Sequence, residues 1–190
     1  TNHSPMANYW LHSGHLTINS EKMSKSLDNF FLVRDVMKEY SASVLRFYLL
    51  NGHYRSPIDF SDSNLEESLS AYKRLEGIYN RLESITSSGD QSSDELIKLI
   101  DLCYLDFSKA MNDDFNTREA LAVLFQFSRQ INGYELESLT IELQRNLLDI
   151  FAKLGGEVLG LFSKVKIESE FEAQIEKLIS EREVARDAKD

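Results

Sequence analysis

Two lysines in one short polar segment are the residues of this sequence best suited to phosphate chemistry. Lys22 and Lys25 lie three residues apart in the segment Lys-Met-Ser-Lys-Ser, residues 22–26. A mobile loop of this composition, following directly on a strand, can bring its ammonium groups onto a polyphosphate and release them afterwards. There it would stabilise charge that builds on phosphate oxygens during nucleotidyl transfer, where positioning and electrostatics supply most of the catalysis. The alternative is an ordinary solvated loop rich in Lys and Ser.

The elements that must position this loop are predicted from residue types and hydrophobic period. Aromatic and β-branched residues around Gly14 predict one or two short strands within residues 7–18, and the absence of an apolar period predicts a loop at 19–29. Beyond the loop we expect two short helices at about 33–39 and 42–51 and a short strand at 57–60. Asp62 or Ser63 is the expected N-cap of a longer helix that follows. The apolar residues of the second helix lie nearly all round it, which predicts that it is buried.

From there to the end of the chain, apolar residues recur every three to four positions. This period predicts a helix to about residue 85 and, after a flexible connection at 86–93, a second helix carrying Leu96 to Met111. A third helix is capped by Asn116 or Thr117, and a fourth at about 138–154 is ended by Gly155-Gly156. A last helix is predicted at about 170–188. Amphipathic helices with short links form antiparallel bundles. The predicted fold class is therefore mainly α, with a small element of short strands and helices followed by an antiparallel helical bundle.

The composition agrees with a helical protein and excludes several other classes. The 190 residues include only 8 Gly and 2 Pro, too few breakers for the many turns of a sandwich or barrel. With 42% hydrophobic residues the chain can build a core. The single cysteine, Cys103, excludes an internal disulfide and fits a small core residue in a reducing compartment. Apolar runs stay below the roughly 18 residues of a membrane span, and we expect a cytoplasmic protein with no membrane partner.

The formal net charge of −10 is unfavourable for a general nucleic-acid binder, but it is unevenly distributed. Residues 1–60 carry six Lys and Arg against five Asp and Glu, so they are near neutral, and they also contain all four histidines. The surplus of acid belongs to residues 61–190. The average charge therefore does not exclude RNA contacts by the first part of the chain.

The lysine segment and several other tracts resemble cysteinyl-tRNA synthetases. Lys-Met-Ser-Lys-Ser is similar to the second signature of class I aminoacyl-tRNA synthetases, the KMSKS loop. Further similar tracts follow in order over nearly the whole chain: Asn-Tyr-Trp-Leu-His at 8–12, Asn-Phe-Phe at 29–31, Val-Arg-Asp-Val at 33–36, Val-Leu-Arg-Phe at 44–47, His-Tyr-Arg-Ser-Pro at 53–57, Asp-Asp-Phe-Asn-Thr at 113–117 with Ala120-Leu121, and the closing tract at 182–190. Other class I synthetases share the lysine loop but not the tract at 53–57 or the closing tract.

This resemblance implies the C-terminal portion of such an enzyme, in keeping with a first residue, Thr1, that is not Met. The family's nucleotide-binding α/β domain, zinc ligands and first signature would precede residue 1, and its anticodon-reading part would follow residue 190. The chain would divide into the end of the catalytic region with the KMSKS loop at 1–29, a stem-contact element at 30–62, and a helical bundle facing the anticodon stem at 63–190. Such a piece alone is expected to form no adenylate.

The resemblance also implies roles for individual residues. Lys25 would contact ATP and stabilise the transition state as the carboxylate of cysteine attacks the α-phosphate, while Lys22 would assist at the departing pyrophosphate. Asp28 stands where the family most often has Gly. Asp tolerates a left-handed backbone better than most residues, but its charge is expected to weaken phosphate affinity modestly. The ATP-binding loop would be shaped by Met23, Ser24 and Ser26.

The partners implied are tRNA-Cys, cysteine and ATP with Mg²⁺, in a monomeric parent enzyme whose zinc is held outside this chain. Phosphate contacts to the tRNA would come from basic residues of the stem-contact element and the closing tract. For each, an ordinary surface or ion-pair role remains the alternative. The candidates are Arg34, Lys38, Arg46, Arg55 and, on the anticodon side, Arg186.

The segment His12-Ser13-Gly14-His15 fits the first class I signature, His-x-Gly-His, but its context is wrong. In the family that signature opens a helix at the ATP phosphates, whereas here it runs into a predicted strand at 16–18. As a metal site the two histidines lack a third ligand nearby. We therefore assign no site to them.

Two other functions remain open at this stage. A cysteine:amino-sugar ligase of mycothiol synthesis would share the lysine loop and the cysteine adenylate, although it has no need of an anticodon-directed end. A non-catalytic helical interaction module would make the lysine segment coincidental.

Overall fold

A computed structural model describes residues 6–18, 21–23, 32–86 and 88–162 of the chain. In this part, the strands are β1 Leu16–Ile18, β2 Glu21–Lys22 and β3 Ile58–Phe60. The α-helices are α1 Val33–Val36, α2 Ala42–Leu50, α3 Asp62–Ser84, α4 Asp94–Asn112, α5 Thr117–Ile131 and α6 Ile141–Ile150. A 3₁₀ turn at Leu136–Ser138 precedes α6, and π-helical turns at Phe151–Val158 continue it. The predicted fold class, a small strand-and-helix element followed by a helical bundle, is confirmed.

The three strands form one small sheet in the order β2-β1-β3. β1 is antiparallel to β2, with Thr17 opposite Lys22, and parallel to β3, with Thr17 opposite Asp59. The Thr17 hydroxyl donates a hydrogen bond of 2.7 Å to the Asp59 carboxylate. The sheet closes over a cluster that we call the sheet core, whose buried residues are Tyr48, Phe60 and Leu65.

The helices enclose a much larger cluster, which we call the bundle core. It extends from Val44 and Phe47 of α2 through α3 to α6 and on to Phe162. Helix α4 packs along α5 and α6, and α3 packs against α2, α5 and α6. The apolar stripe predicted for α5 is buried at every position: Ala120, Leu121, Leu124, Phe127 and Ile131.

Helix α2 contributes to both cores, which explains why apolar residues surround it. Val44 and Phe47 lie in the bundle core, while Tyr48 packs edge-on against Phe60 of the sheet core, with ring centroids 5.7 Å apart. The predicted burial of α2 is confirmed for these three residues, but Leu49 remains 44% exposed. Helix α3 is shared in the same way, since Leu65 lies in the sheet core and Tyr72 in the bundle core.

Near the lysine segment, three predicted boundaries are wrong. Glu21–Lys22 is a strand and not part of a loop, because its backbone pairs with β1. The strand expected within residues 7–18 is present as Leu16–Ile18, but the first helix ends at Val36 and not at about residue 39. The N-cap of α3 is Ser61, whose extended backbone lets its hydroxyl accept from the Asn64 N–H.

Two expectations for the bundle are also wrong. The predicted flexible connection is tied down at residues 88–91, where the N–H groups of Gly89 and Gln91 donate to the carbonyls of Leu139 and Ser138. Gly155-Gly156 does not end a helix, because the π-helical turns run through both residues to Val158. A Cβ at Gly155 would lie 2.3 Å from the Phe162 ring, so glycine here permits close packing. The helix predicted at 170–188 lies outside the described residues.

None of the helices in the described ranges combines the length and hydropathy needed to cross a membrane.

Candidate functional site

The lysine segment begins as the edge strand of the small sheet. Lys22 lies in β2, and the N–H of the following Met23 donates to the carbonyl of Leu16 at 3.4 Å. The backbone of Lys22 is thereby held to β1, the strand expected to precede the loop. The rest of the predicted phosphate-binding set, Ser24, Lys25 and Ser26, lies outside the described residues, as does Asp28.

The loop at residues 51–57, which connects α2 to β3, is packed against the chain that leads into β1. The N–H of Gly14 donates to the Tyr54 carbonyl at 2.7 Å, and a Cβ at Gly14 would lie 2.2 Å from the Ser56 carbonyl oxygen. Only glycine allows this approach. The His-x-Gly-His segment thus leads into strand β1, as predicted, and its glycine serves packing. Both of its histidines, His12 and His15, are exposed.

The same loop makes an ion pair with the turn between α4 and α5. Arg55 donates from Nε and Nη2 to the two carboxylate oxygens of Asp114, the second bond being 3.0 Å long. The Tyr54 hydroxyl donates to Asp114 Oδ1 at 2.7 Å, and His53 Nε2 lies 3.9 Å from Oδ2. We call the contacts of Tyr54 and Arg55 with Asp114 the Asp114 clasp. Paired Arg and carboxylate groups of this kind fix geometry as well as charge.

The clasp changes the acid–base properties of its members. The hydrogen bonds from Arg55 and then from Tyr54 favour the ionised form of Asp114 and lower its pKa to about 2. The same hydrogen bond to Asp114 raises the pKa of the Tyr54 hydroxyl, because phenolate would face a carboxylate. All three groups therefore remain in the protonation states that make the clasp throughout the neutral pH range.

The side chains on the loop side of the clasp are stacked. The Tyr54 ring lies against the His53 ring, with centroids 5.0 Å apart, and the Arg55 guanidinium lies 5.2 Å from the Tyr54 centroid. Cation–π contact and stacking restrict the side-chain freedom of all three residues. The loop thus presents its hydrogen-bond donors to Asp114 in a fixed arrangement.

The turn on the other side of the clasp has an unusual backbone. Asp114 and Phe115 adopt positive φ values of 55° and 54°. For residues with a Cβ this region costs of order 1–3 kcal/mol each, and it persists only where surrounding contacts hold it. Besides the clasp, the Thr117 hydroxyl holds the turn by donating to the Leu50 carbonyl at 2.8 Å. Phe115 remains 54% exposed.

The structure therefore brings together two tracts that are far apart in the sequence, 53–57 and 113–117. Sequence reasoning singled out Arg55 as a phosphate contact and missed Asp114 and Tyr54. Nothing in hydrophobic period or local spacing indicates a pair separated by 59 residues. Only the family resemblance could have indicated Tyr54 and Asp114, because both tracts, 53–57 and 113–117, are among those similar to cysteinyl-tRNA synthetases.

The other predicted basic residues lie at separate places. Arg34 is exposed on α1, and Lys38 pairs with Asp35 at 2.7 Å in the turn after it. Arg46 is exposed on α2 and lies across Gly160, where a Cβ would come within 2.9 Å of Nη1. Gly160 has a φ of +69°, which also favours glycine. The structure therefore does not gather these cations and Arg55 into one site, because Lys38, Arg46 and Arg55 each lie beside a different segment of the chain. Arg186 lies outside the described residues.

A resident metal is not supported by the part of the chain that the structure describes. Within the described ranges between residues 6 and 162, no group of three or more His, Cys, Asp or Glu side chains is arranged to hold an ion. These residues therefore do not fit a zinc site.

Two protein-family models match separate parts of the chain, one at its beginning and one in the helical bundle. Residues 1–70 match the family described as the tRNA synthetases class I (C) catalytic domain. Residues 106–163 match the DALR domain. The first match contains the lysine segment and the loop at 51–57, and the second contains Asp114 and the strained turn. The clasp thus joins two regions that belong to different family models.

Curated relatives match the whole chain. The cysteine–tRNA ligase of Staphylococcus carnosus is 41% identical over 198 residues, and the alignment covers 100% of this chain and 41% of that protein. The cysteine–tRNA ligase of Geobacter sulfurreducens is 40% identical, with 100% and 43% covered. The chain thus spans about two fifths of the length of the relatives it matches.

A solved structure shares the fold. It is the crystal structure of the ternary complex of Agrobacterium radiobacter K84 agnB2 LeuRS-tRNA-LeuAMS, with a TM-score of 0.56 and 22% identity, covering 81% of this chain and 22% of that chain. At this identity the likeness concerns the fold alone. The alternatives of an amino-sugar ligase and a helical interaction module are not favoured by the curated relatives. Over its whole length the chain is thus similar to cysteine–tRNA ligases, at about 40% identity, and its first 70 residues match the class I catalytic domain of tRNA synthetases.

Proposed function

We propose that this chain is the KMSKS-loop and tRNA-facing portion of a cysteine–tRNA ligase. The parent enzyme would activate cysteine with ATP to cysteinyl-adenylate and transfer the cysteine to tRNA-Cys. The observation that carries the proposal is the identity of about 40% to cysteine–tRNA ligases over the whole chain. The lysine segment lies within the matched class I catalytic region.

The lysine side of the proposed site acts on ATP. Lys25 neutralises charge on the phosphates as the α-phosphate is attacked, and Lys22 stabilises the departing pyrophosphate. Pairing of β2 with β1 supports this assignment, because it fixes the backbone at Lys22 while the following residues approach the nucleotide. Met23, Ser24 and Ser26 shape the loop around ATP. Mg²⁺ would add charge neutralisation on the phosphates, and zinc, if the parent enzyme holds it, is bound outside this chain.

The tRNA side of the proposed site uses separated cations. Arg34, Lys38, Arg46 and Arg55 are proposed phosphate contacts of the stem-contact element, with Arg186 on the anticodon side. Exposure of Arg34 and Arg46 supports this role. Arg55 and Lys38 already pair with carboxylates, so an RNA phosphate would have to share or replace Asp114 and Asp35. We therefore expect Arg34 and Arg46 to contribute more to RNA affinity than the other two.

The proposed division of the chain follows the same assignment. Residues 1–29 end the catalytic region, 30–62 contact the tRNA stem, and 63–190 form the bundle on the anticodon-stem side. The start of α3 at Asp62 supports the second boundary. The parent enzyme is proposed to act as a cytoplasmic monomer.

The central test replaces Lys25 in the complete synthetase. Lys25→Ala should lower cysteine-dependent ATP–pyrophosphate exchange by about 100-fold or more, because the variant has no charge there to stabilise the transition state. Lys98→Ala removes an equal charge from the exposed surface of α4 and is the matched control. Equal exchange rates for the two variants would contradict the proposal, as would cysteine-dependent exchange by the 190-residue chain alone.

A second test measures binding of tRNA-Cys to the 190-residue chain across a salt series. Removal of one phosphate-binding cation should lower the slope of log affinity against log salt by about 0.7 to 0.9. Arg34→Ala and Arg46→Ala should therefore weaken binding and flatten the slope. Arg145→Ala, in α6, is the control. A slope that none of these substitutions changes would contradict the assigned contacts.

A further inference from the structure

The sheet that carries the lysine segment is joined to the bundle at one side by two neighbouring helices. Helices α2 and α3 pack against each other, and each buries residues in both the sheet core and the bundle core. The sheet core itself has only three buried residues among those that the structure describes. A small core held mainly by two helices resists tilting less than a large interface does, so a contact from the α4–α5 side of the bundle adds to the fixing of its orientation.

The Asp114 clasp is such a contact. It reaches the loop at 51–57 from the α4–α5 turn, on the bundle side. The same loop continues into β3, which pairs with β1, and it accepts the hydrogen bond from Gly14 at 2.7 Å. A displacement of Asp114 is therefore transmitted through the loop to β1 and on to β2, where Lys22 lies.

The clasp is poorly explained as a stabilising contact. The side chains of Arg55 and Asp114 are 54% and 42% exposed, and exposed ion pairs contribute little to stability. Yet the turn that brings the Asp114 carboxylate against Arg55 and Tyr54 contains two consecutive residues with side chains at positive φ. Because the positive φ values cost free energy and the exposed ion pair returns little, we infer that the position of the Asp114 carboxylate serves a function other than stability.

We propose that Asp114 is a positioning residue for the tRNA-dependent step of the proposed reaction. By clasping Tyr54 and Arg55 it sets the orientation of the bundle relative to the sheet that carries the lysine segment. Adenylate formation needs only the catalytic side of the molecule, whereas charging of tRNA needs the RNA held by the bundle to reach that side in register. Misplacement of about 1 Å can cost on the order of 100-fold in rate. This inference rests on the proposed function.

The test is Asp114→Asn in the complete synthetase. Asn has nearly the same shape and also tolerates a left-handed backbone, so the turn is preserved while the charge is removed. We expect kcat/KM for tRNA-Cys in aminoacylation to fall about 10-fold or more, with cysteine-dependent pyrophosphate exchange within about 2-fold of wild type. Asp113→Asn removes the same charge one residue away and should change neither reaction.

A second variant keeps the test decisive if Asp114→Asn fails to fold. Tyr54→Phe removes the hydroxyl that donates to Asp114 at 2.7 Å but keeps the ring that stacks on His53. It should lower tRNA charging in the same direction by a smaller factor. The double variant should be no worse than Asp114→Asn alone, because both substitutions break one arrangement.

The outcomes separate the inference from the function on which it rests. A wild-type enzyme that fails to charge tRNA-Cys overturns the proposed function. If wild type charges tRNA, the inference is overturned when Asp114→Asn and Tyr54→Phe leave charging unchanged, or when pyrophosphate exchange falls by the same factor as charging. Loss of charging alone, with the thermal midpoint retained, supports it.

Discussion

The bundle core and the sheet core differ in how they are held together. In the bundle core, Phe127 and Phe151 are at most 1% exposed, and their rings lie 5.8 Å apart among the helices. The strands around the sheet core are only two or three residues long. This part of the molecule relies on polar contacts around Asp59. The carbonyl of Asp59 accepts from the Tyr48 hydroxyl at 2.8 Å and from the Asn64 amide at 2.9 Å.

This difference separates stability from the proposed chemistry within one chain. Burial of large apolar side chains stabilises the bundle without regard to precise orientation. The small sheet, which begins the lysine segment, depends on directional contacts that fix geometry at little gain in free energy. A site whose charges must meet a substrate in register is better served by the second kind of contact, provided that the first kind keeps the chain folded.

The largest expected effect comes from a cavity in the bundle core. Phe151→Ala should lower the free energy of unfolding by about 3–5 kcal/mol, because a fully buried ring is removed and the helices collapse only partly around the space. The matched substitution in the sheet core is Phe60→Ala, whose side chain is 7% exposed. It should cost less, measured as the shift in the urea midpoint. Equal costs would show that the two cores are not distinct in stability.

Sequence alone predicted the bundle much better than the site. The stripe of α5 is local, so each apolar residue reports its own burial through the helical period. The cap at Asn116 was also predicted, because capping chemistry acts within one turn, and its side chain accepts from the Glu119 N–H. Strand β2 was missed because two residues carry no period and pair only through a partner in β1.

The errors and the missed residues have a common physical origin. Gly155 was predicted to stop a helix, since local rules associate glycine with helix ends, but its role is set by Phe162 across a turn. Asp114 meets Arg55 only after the whole bundle has formed. Long-range contacts of this kind follow from the fold and not from the spacing of residues along the chain. Only the resemblance of whole tracts indicated where they would be.

A smaller effect is expected from a matched pair of glycine substitutions, one in each region. Gly14→Ala places a Cβ 2.2 Å from the Ser56 carbonyl oxygen, so backbone must move, at a cost of about 1–3 kcal/mol. Gly77→Ala in α3 meets nothing within 4 Å and should stabilise the protein by about 1 kcal/mol through helix propensity.

Thermal unfolding measures the opposite signs of these two changes, and hydrogen exchange locates them. Gly14→Ala should accelerate exchange at the Ile58 N–H, which donates to the His15 carbonyl at 3.1 Å, while amides in α5 remain protected. If Gly14→Ala were as well tolerated as Gly77→Ala, the close approach that fixes the loop at 51–57 would not exist.

The smallest effect on stability should come from the charge of Asp114, and it should depend on pH. The clasp lowers the pKa of Asp114 to about 2, so the folded state holds the carboxylate ionised at pH values where the unfolded chain already binds a proton. Its contribution is therefore fully present above about pH 5 and disappears as pH falls from about 4 towards 2. Exposure and salt screening keep it small.

Urea unfolding of wild type and Asp114→Asn between about pH 2.5 and pH 7 at low salt measures this dependence. The difference between the two midpoints should be constant from about pH 5 to 7 and shrink towards acid, because Asn mimics the protonated carboxyl group. The deficit of Phe151→Ala should stay the same across the whole range, since removal of an apolar ring titrates nothing. A gap for Asp114→Asn that widens in acid would mean that the carboxylate is not favoured in the folded state, and the directional contact attributed to the sheet side would then be absent.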